Sequence, residues 1–107
     1  MATIEEITDN NFKQNVIEKK GIAVVDFWAQ WCGPCRKLAP VLEQIQTEFA
    51  DSVKIVKLNT EEHTNTAKEY GISSLPSILV FKDGEVKESM VGMMPKSAII
   101  TNIKKHL

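Results

Sequence analysis

Cysteine is scarce in this 107-residue sequence: there are two, Cys32 and Cys35. That scarcity excludes a disulfide-stapled scaffold, in which several bridges stand in for a core. It also argues against a structural zinc site. Such a site needs four ligands, and the chain adds only the scattered His63 and His106 to its two thiols. Long apolar runs are missing too, and none approaches the roughly 20 residues of a membrane-spanning helix. The formal net charge is −1, so there is no basic field to hold nucleic acid. The N-terminus, Met1-Ala2-Thr3-Ile4-Glu5-Glu6, is acidic and lacks the apolar core of a secretion signal. The expected setting is therefore intracellular and cytoplasmic, where thiols are kept reduced. Repeats, linkers and low-complexity segments are absent, so residues 1–107 read as one domain with one core.

The two cysteines stand together, in Trp31-Cys32-Gly33-Pro34-Cys35. The apolar run Ala23-Val24-Val25-Asp26-Phe27-Trp28-Ala29 leads in, and a long amphipathic segment, 36–49, leads out. Two thiols thus sit where a buried strand turns into a helix. As a staple the pair is weak, since closing so short a loop stabilises by only about 2 kcal/mol. As chemistry it is well placed. The unpaired N–H groups and dipole of a helix N-terminus favour a thiolate, the attacking species. Cys32, just before the first turn, suits the attacking sulfur. Pro34 suits that turn because its missing N–H would be unpaired anyway. Gly33 allows a tight turn and a close partner backbone. Cys35 would be covered, one step into the helix. Half of a zinc site and an inert buried pair are the competing readings. Neither explains a Gly-Pro insert beside Trp31.

Along the chain, residues 3–7 read as a first strand. Thr8 or Asp9 can cap a helix over 10–18, with Phe12 and Val16 on one face and Gly21 beyond its end. Residues 22–29 are apolar on both faces, as in a central, parallel strand. Asp26 interrupts that run. A buried aspartate has its pKa raised and can carry a proton near neutrality, whereas an aspartate at a strand edge is merely exposed or paired. In the helix after the motif, Leu38, Val41, Leu42, Ile45 and Phe49 share one face, and Pro40 should kink it. A third strand runs from 52 or 53 to 58. Its Lys57 is either a charge partner for Asp26 or a solvated lysine. Residues 59–66 are polar loop or frayed helix, 67–70 a short helix closed by Gly71. Pro76 begins a strand at 77–82, Asp83-Gly84 signals a hairpin turn, and 85–91 returns as an edge. Met93-Met94-Pro95 precede a last helix whose stripe is Ile99, Ile103 and Leu107. His106 reads as solvated. The order βαβαβαββα predicts an α/β mixed sheet with helices on both faces, the cysteine motif lying at the carboxyl end of the second strand.

The segment from Val25 to Cys35 closely resembles the active-site segment of thioredoxins. The likeness continues through Ala39-Pro40, Lys57-Leu58-Asn59, Tyr70-Gly71-Ile72, Leu75-Pro76, Phe81-Lys82-Asp83-Gly84 and Val91-Gly92. The resemblance implies the thioredoxin fold, a central five-stranded mixed sheet flanked by four helices. It implies a cis peptide before Pro76, a redox disulfide between Cys32 and Cys35, Cys32 as nucleophile and Cys35 as resolving thiol. Asp26 would exchange a proton with Cys35 through water, with Lys57 tuning it and Trp28 packing beneath the motif. Trp31, Gly33, Pro34, Ile72, Ser74, Leu75, Pro76, Gly92 and Met93 would receive protein substrates.

Gln30, Arg36, Ser74, Met93-Met94 and Pro95 depart from the commonest family pattern and bear on substrate and reductase preference. Oxidising relatives carry histidine between their cysteines; this chain does not, which favours a reducing role. The expected protein is thus a monomeric disulfide reductase and electron carrier with no bound cofactor. Its electrons would come from a reductase, an NADPH-dependent one. The alternative is a non-catalytic binding subunit that uses the same apolar surface.

Overall fold

The sheet is built outward from the most apolar strand. The structure, a computed structural model, describes residues 3–107; Met1 and Ala2, the start of the acidic N-terminal stretch, lie outside the described residues. Its strands are β1 (Glu5–Ile7), β2 (Ile22–Trp28), β3 (Val53–Asn59), β4 (Ser77–Lys82) and β5 (Glu85–Val91). They lie in the order β1-β3-β2-β4-β5. β2 pairs parallel with β3 and antiparallel with β4, while β1 joins β3 in parallel and β5 joins β4 antiparallel. Paired on both edges and covered on both faces, β2 has no use for polar alternation.

Helices α1 (Gly33–Phe49), α2 (Thr64–Glu69) and α3 (Lys96–Lys104), with a π-helical segment Lys13–Ile17, cover the sheet, and a 3-10 turn (Ala50–Ser52) leads into β3. Successive strand residues face opposite ways. Ile22 and Val24 of β2 and Val53 and Ile55 of β3 pack with Leu38, Leu42 and Ile45 of α1 and Ile99 and Ile103 of α3. Ala23, Val25 and Phe27 pack on the other face with Phe12, Val16 and Ala67. The same alternation puts Asp26 and Lys57 on the α1 face, as the next residues in the Ile22-Val24 and Val53-Ile55 rows.

Several local expectations change. The helix expected over 10–18 is a π-helical turn, with Glu18 N–H donating to the Lys13 carbonyl five residues back at 2.9 Å. Thr8 does not cap it: Thr8 and Asn11 exchange bonds in the turn before it, and the N-cap position, Phe12, has no side-chain cap. Asp9 instead reaches α2, accepting from Asn65 N at 3.2 Å, Thr66 N at 2.9 Å and Thr66 Oγ1 at 2.6 Å. That distant cap starts α2 at Thr64, so the expected loop 59–66 ends three residues early. α1 begins at Gly33, directly after Cys32 as expected, and runs on through Pro40 to Phe49. Leu107 lies beyond α3 and is exposed, so it leaves the apolar stripe. His106 is not solvated: its Nε2 is 2.7 Å from Glu88 Oε2 on β5, because the chain after α3 turns back over that edge strand.

The hairpin turn behaves as its residues require. Asp83 and Gly84 both have positive φ, 50° and 85°, the pairing a two-residue turn needs to match strand twist. Asp83 also holds the loop before β2: Gly21 N–H donates to its Oδ1 at 2.8 Å, and its own N–H donates to the Gly21 carbonyl at 2.9 Å.

Candidate active site

The end of β2 is fixed before the cysteines begin. Thr60 N–H donates to the Trp28 carbonyl at 2.9 Å, and Cys32 N–H to the Ala29 carbonyl at 3.1 Å. Arg36 reaches back so that its Nη1 donates to the Gln30 carbonyl at 2.6 Å. The chain therefore enters α1 through a clasped turn. Cys32 is the N-cap residue of α1, in extended conformation, and its Sγ accepts from Cys35 N–H at 3.2 Å. A sulfur at this place takes up one of the four N–H groups that a helix start leaves unpaired. Pro34 lies in the first turn and costs no bond there.

The two sulfurs are joined as the Cys32–Cys35 disulfide, with Cα atoms 5.3 Å apart. Both cysteines are 3% exposed, so in this state burial does not set a reachable Cys32 apart from a covered Cys35. Both pack with Ala29, and Trp28 and Leu75 lie against them. What does separate them is their surroundings. Cys35 lines a cavity of about 170 Å³ together with Asp26, Trp28, Arg36, Ala39 and Lys57, and Cys32 does not.

Asp26 is 2% exposed and its Oδ1 has no hydrogen-bond partner. It pairs in register with Lys57 on β3 and Ile78 on β4. Burial pushes its carboxyl up to about 7, and the Lys57 charge opposes that rise without cancelling it. The strand-edge reading of Asp26 is thereby removed, since β2 is central. The Lys57 ammonium lies 5.2 Å from the centroid of the Trp28 ring.

The mouth of the site is apolar. Trp31 is 68% exposed and Met93 53%. Pro34 and Ser74 are exposed, Gly33, Ile72, Leu75 and Gly92 half-buried, and Pro76 buried. The Leu75–Pro76 peptide is cis. Gly92 N–H donates to the Pro76 carbonyl at 2.8 Å, and Ser77 Oγ to the Ser74 carbonyl at 2.6 Å. Those bonds hold the loop from Ser74 to Pro76 against the end of β5, and Leu75 carries it onto the disulfide. Arg36 and Ala39 are site residues that local reading passed over. The one signal for Arg36 is a long cation directly after Cys35. Among the described residues no group of three or more His, Cys, Asp or Glu side chains is placed to hold a metal ion, and no helix is long and apolar enough to cross a membrane.

The family model described as Thioredoxin matches residues 3–105. The chain belongs to the thioredoxin family. It is 45% identical to thioredoxin 1 of Synechococcus elongatus over the whole of both chains. To the thioredoxin of Bacillus subtilis it is 47% identical over 97% of this chain and 98% of that one. A chloroplastic M-type thioredoxin of Chlamydomonas reinhardtii is 48% identical over 94% of this chain and 72% of its own length. With this family and the disulfide at Cys32–Cys35, the protein is a thiol–disulfide oxidoreductase, a redox carrier that reduces protein disulfides. The family works without a bound cofactor and with a reductase that restores the dithiol.

Proposed function

We propose that Cys32 is the attacking sulfur and Cys35 the resolving one. The observation that carries this order is the cavity, which joins Cys35, and not Cys32, to Asp26. In the dithiol form the Cys32 thiolate, at the N-terminal end of α1, attacks a substrate disulfide. A new sulfur–sulfur bond forms to Cys32, and the other substrate sulfur leaves as a thiolate. Asp26 then takes the Cys35 proton, through water in the cavity. The Cys35 thiolate attacks Cys32, the mixed disulfide breaks, and the second substrate sulfur departs. The substrate disulfide has gained two electrons and the dithiol has lost them. Lys57 tunes Asp26, while Trp28 and Pro40 serve the frame.

The surface from Trp31, Gly33 and Pro34 across Ile72, Ser74, Leu75 and Pro76 to Gly92 and Met93 receives protein substrates. Exposed Trp31 and Met93 support that reading, since apolar side chains bared beside a reactive bond suit transient contact with a partner. The protein acts as a single domain and a monomer in the cytoplasm, where an NADPH-dependent reductase returns it to the dithiol. A lone, closely spaced cysteine pair, with none left for structural bridges, supports that setting.

The test of the order is a trapping experiment. Reduced Cys35→Ser protein should accumulate covalent complexes with disulfide substrates through Cys32, and Cys32→Ser protein should not. Trapping by the second variant in place of the first reverses the assignment.

A further inference from the structure

Trp28 ends β2 with an indole whose Nε1 is buried and has no hydrogen-bond partner. No bond to the ring nitrogen therefore orients it. Its face meets a cation instead, the Lys57 ammonium 5.2 Å from the centroid. In the β2–β3 register Lys57 is opposite Asp26, and Trp28 is opposite Asn59. Lys57 thus lies across from one β2 residue and diagonal to the other, both on the same sheet face. Asp26, Trp28 and Lys57 all line the cavity that Cys35 closes. Yet none of the ion pairs within 4.0 Å among the described residues involves Lys57. The carboxylate does not hold the ammonium by direct contact.

A lysine side chain has ample rotamer freedom to turn outward and hydrate its charge. Indole offers the strongest π face for a cation. We propose that Trp28 is a positioning residue: its ring holds the Lys57 ammonium at the cavity and so fixes how strongly that charge acts on Asp26. The other groups facing Asp26 leave this to Lys57. Ile78 on β4 is apolar, and the Arg36 guanidinium on α1 is turned to the Gln30 carbonyl, so the charge that acts on the Asp26 carboxyl is that of Lys57. The consequence for catalysis rests on the proton role proposed for Asp26; the positioning itself does not.

The two are separated by titrating Asp26 directly in the disulfide form, by carboxyl carbon NMR, rather than by assaying activity. Releasing the cation favours the protonated acid, so Trp28→Phe should move the Asp26 midpoint up by roughly half a pH unit. Lys57→Met should move it further. In the Lys57→Met background, Trp28→Phe should move it no more, because the cation it held is gone. Trp28→Tyr, a smaller perturbation, should fall between Trp28→Phe and the parent and carries the test if Trp28→Phe does not fold. A merely structural indole predicts the opposite sign, because loosening it lets water reach the carboxylate and lowers the midpoint. A fall, no change, or an equal rise in both backgrounds overturns the proposal. If the cycle holds while Asp26→Asn resolves mixed disulfides at the parental rate, Trp28 is supported as Lys57's anchor and only the proton role is lost.

Discussion

Asp26 and Cys35 line one cavity, the carboxyl from the central strand and the sulfur from the first turn of α1. In the proposed mechanism that cavity serves chemistry, and it does so at the expense of stability. Burial holds the Asp26 pKa at about 7, above the ordinary 3.8. Below about pH 4 both folded and unfolded chains are protonated there, and no penalty arises. As pH rises the unfolded chain ionises first, so stability falls until the folded group also ionises near neutrality. Above that the loss is constant, on the order of 4 kcal/mol. Asp26→Ala should therefore stabilise the disulfide form at pH 8 by up to a few kcal/mol, offset in part by lost packing. Near pH 4 the gain should vanish. Urea denaturation at pH 4, 6 and 8 measures it, and a gain independent of pH would show that the carboxyl is not desolvated in the fold.

The same substitution should act unevenly on the two chemical steps. In the proposed order, attack by the Cys32 thiolate involves no proton transfer to Asp26, whereas resolution requires Asp26 to take the Cys35 proton. In single-turnover reactions Asp26→Ala should slow resolution of the mixed disulfide roughly tenfold or more and leave its formation near the parental rate. Equal slowing of both steps would take the proton role away from Asp26.

Trp31 bares more of its surface than any other large apolar side chain described here, and nothing in the fold needs it there. Trp31→Ala should leave stability within about 0.5 kcal/mol of the parent. It should lower kcat/KM on protein disulfides by roughly tenfold, about 1.4 kcal/mol of lost contact. A small aliphatic disulfide, which cannot span the surface, should be reduced at close to the parental rate. Parallel losses on both substrates would place Trp31 in the sulfur chemistry and not in docking.

What the residues disclosed on their own is what local chemistry controls. Strand β2, the turn at Asp83-Gly84 and the bounds of β4 and β5 follow from apolar runs and turn residues, which act over a few positions. The buried Asp26 was legible for the same reason, as one carboxylate in an apolar strand. The register partner Lys57 was legible as a candidate, because two central strands must pair. Contacts between distant segments were not. Nothing near Asp9 says that it will close a helix beginning at Thr64, and nothing near His106 points to Glu88. The equal burial of Cys32 and Cys35 was hidden as well, since Leu75, which packs on them, comes from a distant loop.

Gly84 is needed for two separate reasons. Its φ of 85° is in the left-handed region, and a Cβ built there would collide with the backbone carbonyl of Ile17. A backbone atom of the π-helical segment cannot swing aside as a side-chain end can. Gly84→Ala should cost roughly 2–3 kcal/mol, the upper part of the range for a substitution that meets both strain and a clash. Thermal or urea unfolding checks it. Gly71, also at positive φ, has nothing within 4 Å of such a Cβ. Gly71→Ala should cost only about 1 kcal/mol, and a larger cost there than at Gly84 would contradict the clash.

Asp9 stabilises α2 from outside it. Burial pushes its pKa up, but hydrogen bonds from the Thr66 side chain and from the Thr66 and Asn65 N–H groups outweigh that, and His63 adds to them, so the pKa is lowered. The carboxylate thus contributes stability above the unfolded pKa, and the contribution is lost as pH falls through the lower folded value. Asp9→Ala should cost about 1–2 kcal/mol at pH 7, the usual loss for a removed cap. The cost should shrink as pH falls below the unfolded value of 3.8 and through the lower folded one. Asp9→Asn keeps an acceptor oxygen and should recover most of the loss. Because α2 is only six residues long, the opening should be local: amide exchange at Ala67 and Lys68 should quicken more than at Val24 or Val80 in the sheet centre. Uniform quickening across the chain would mean that Asp9 supports the whole fold through its bridge from the loop after β1 to α2.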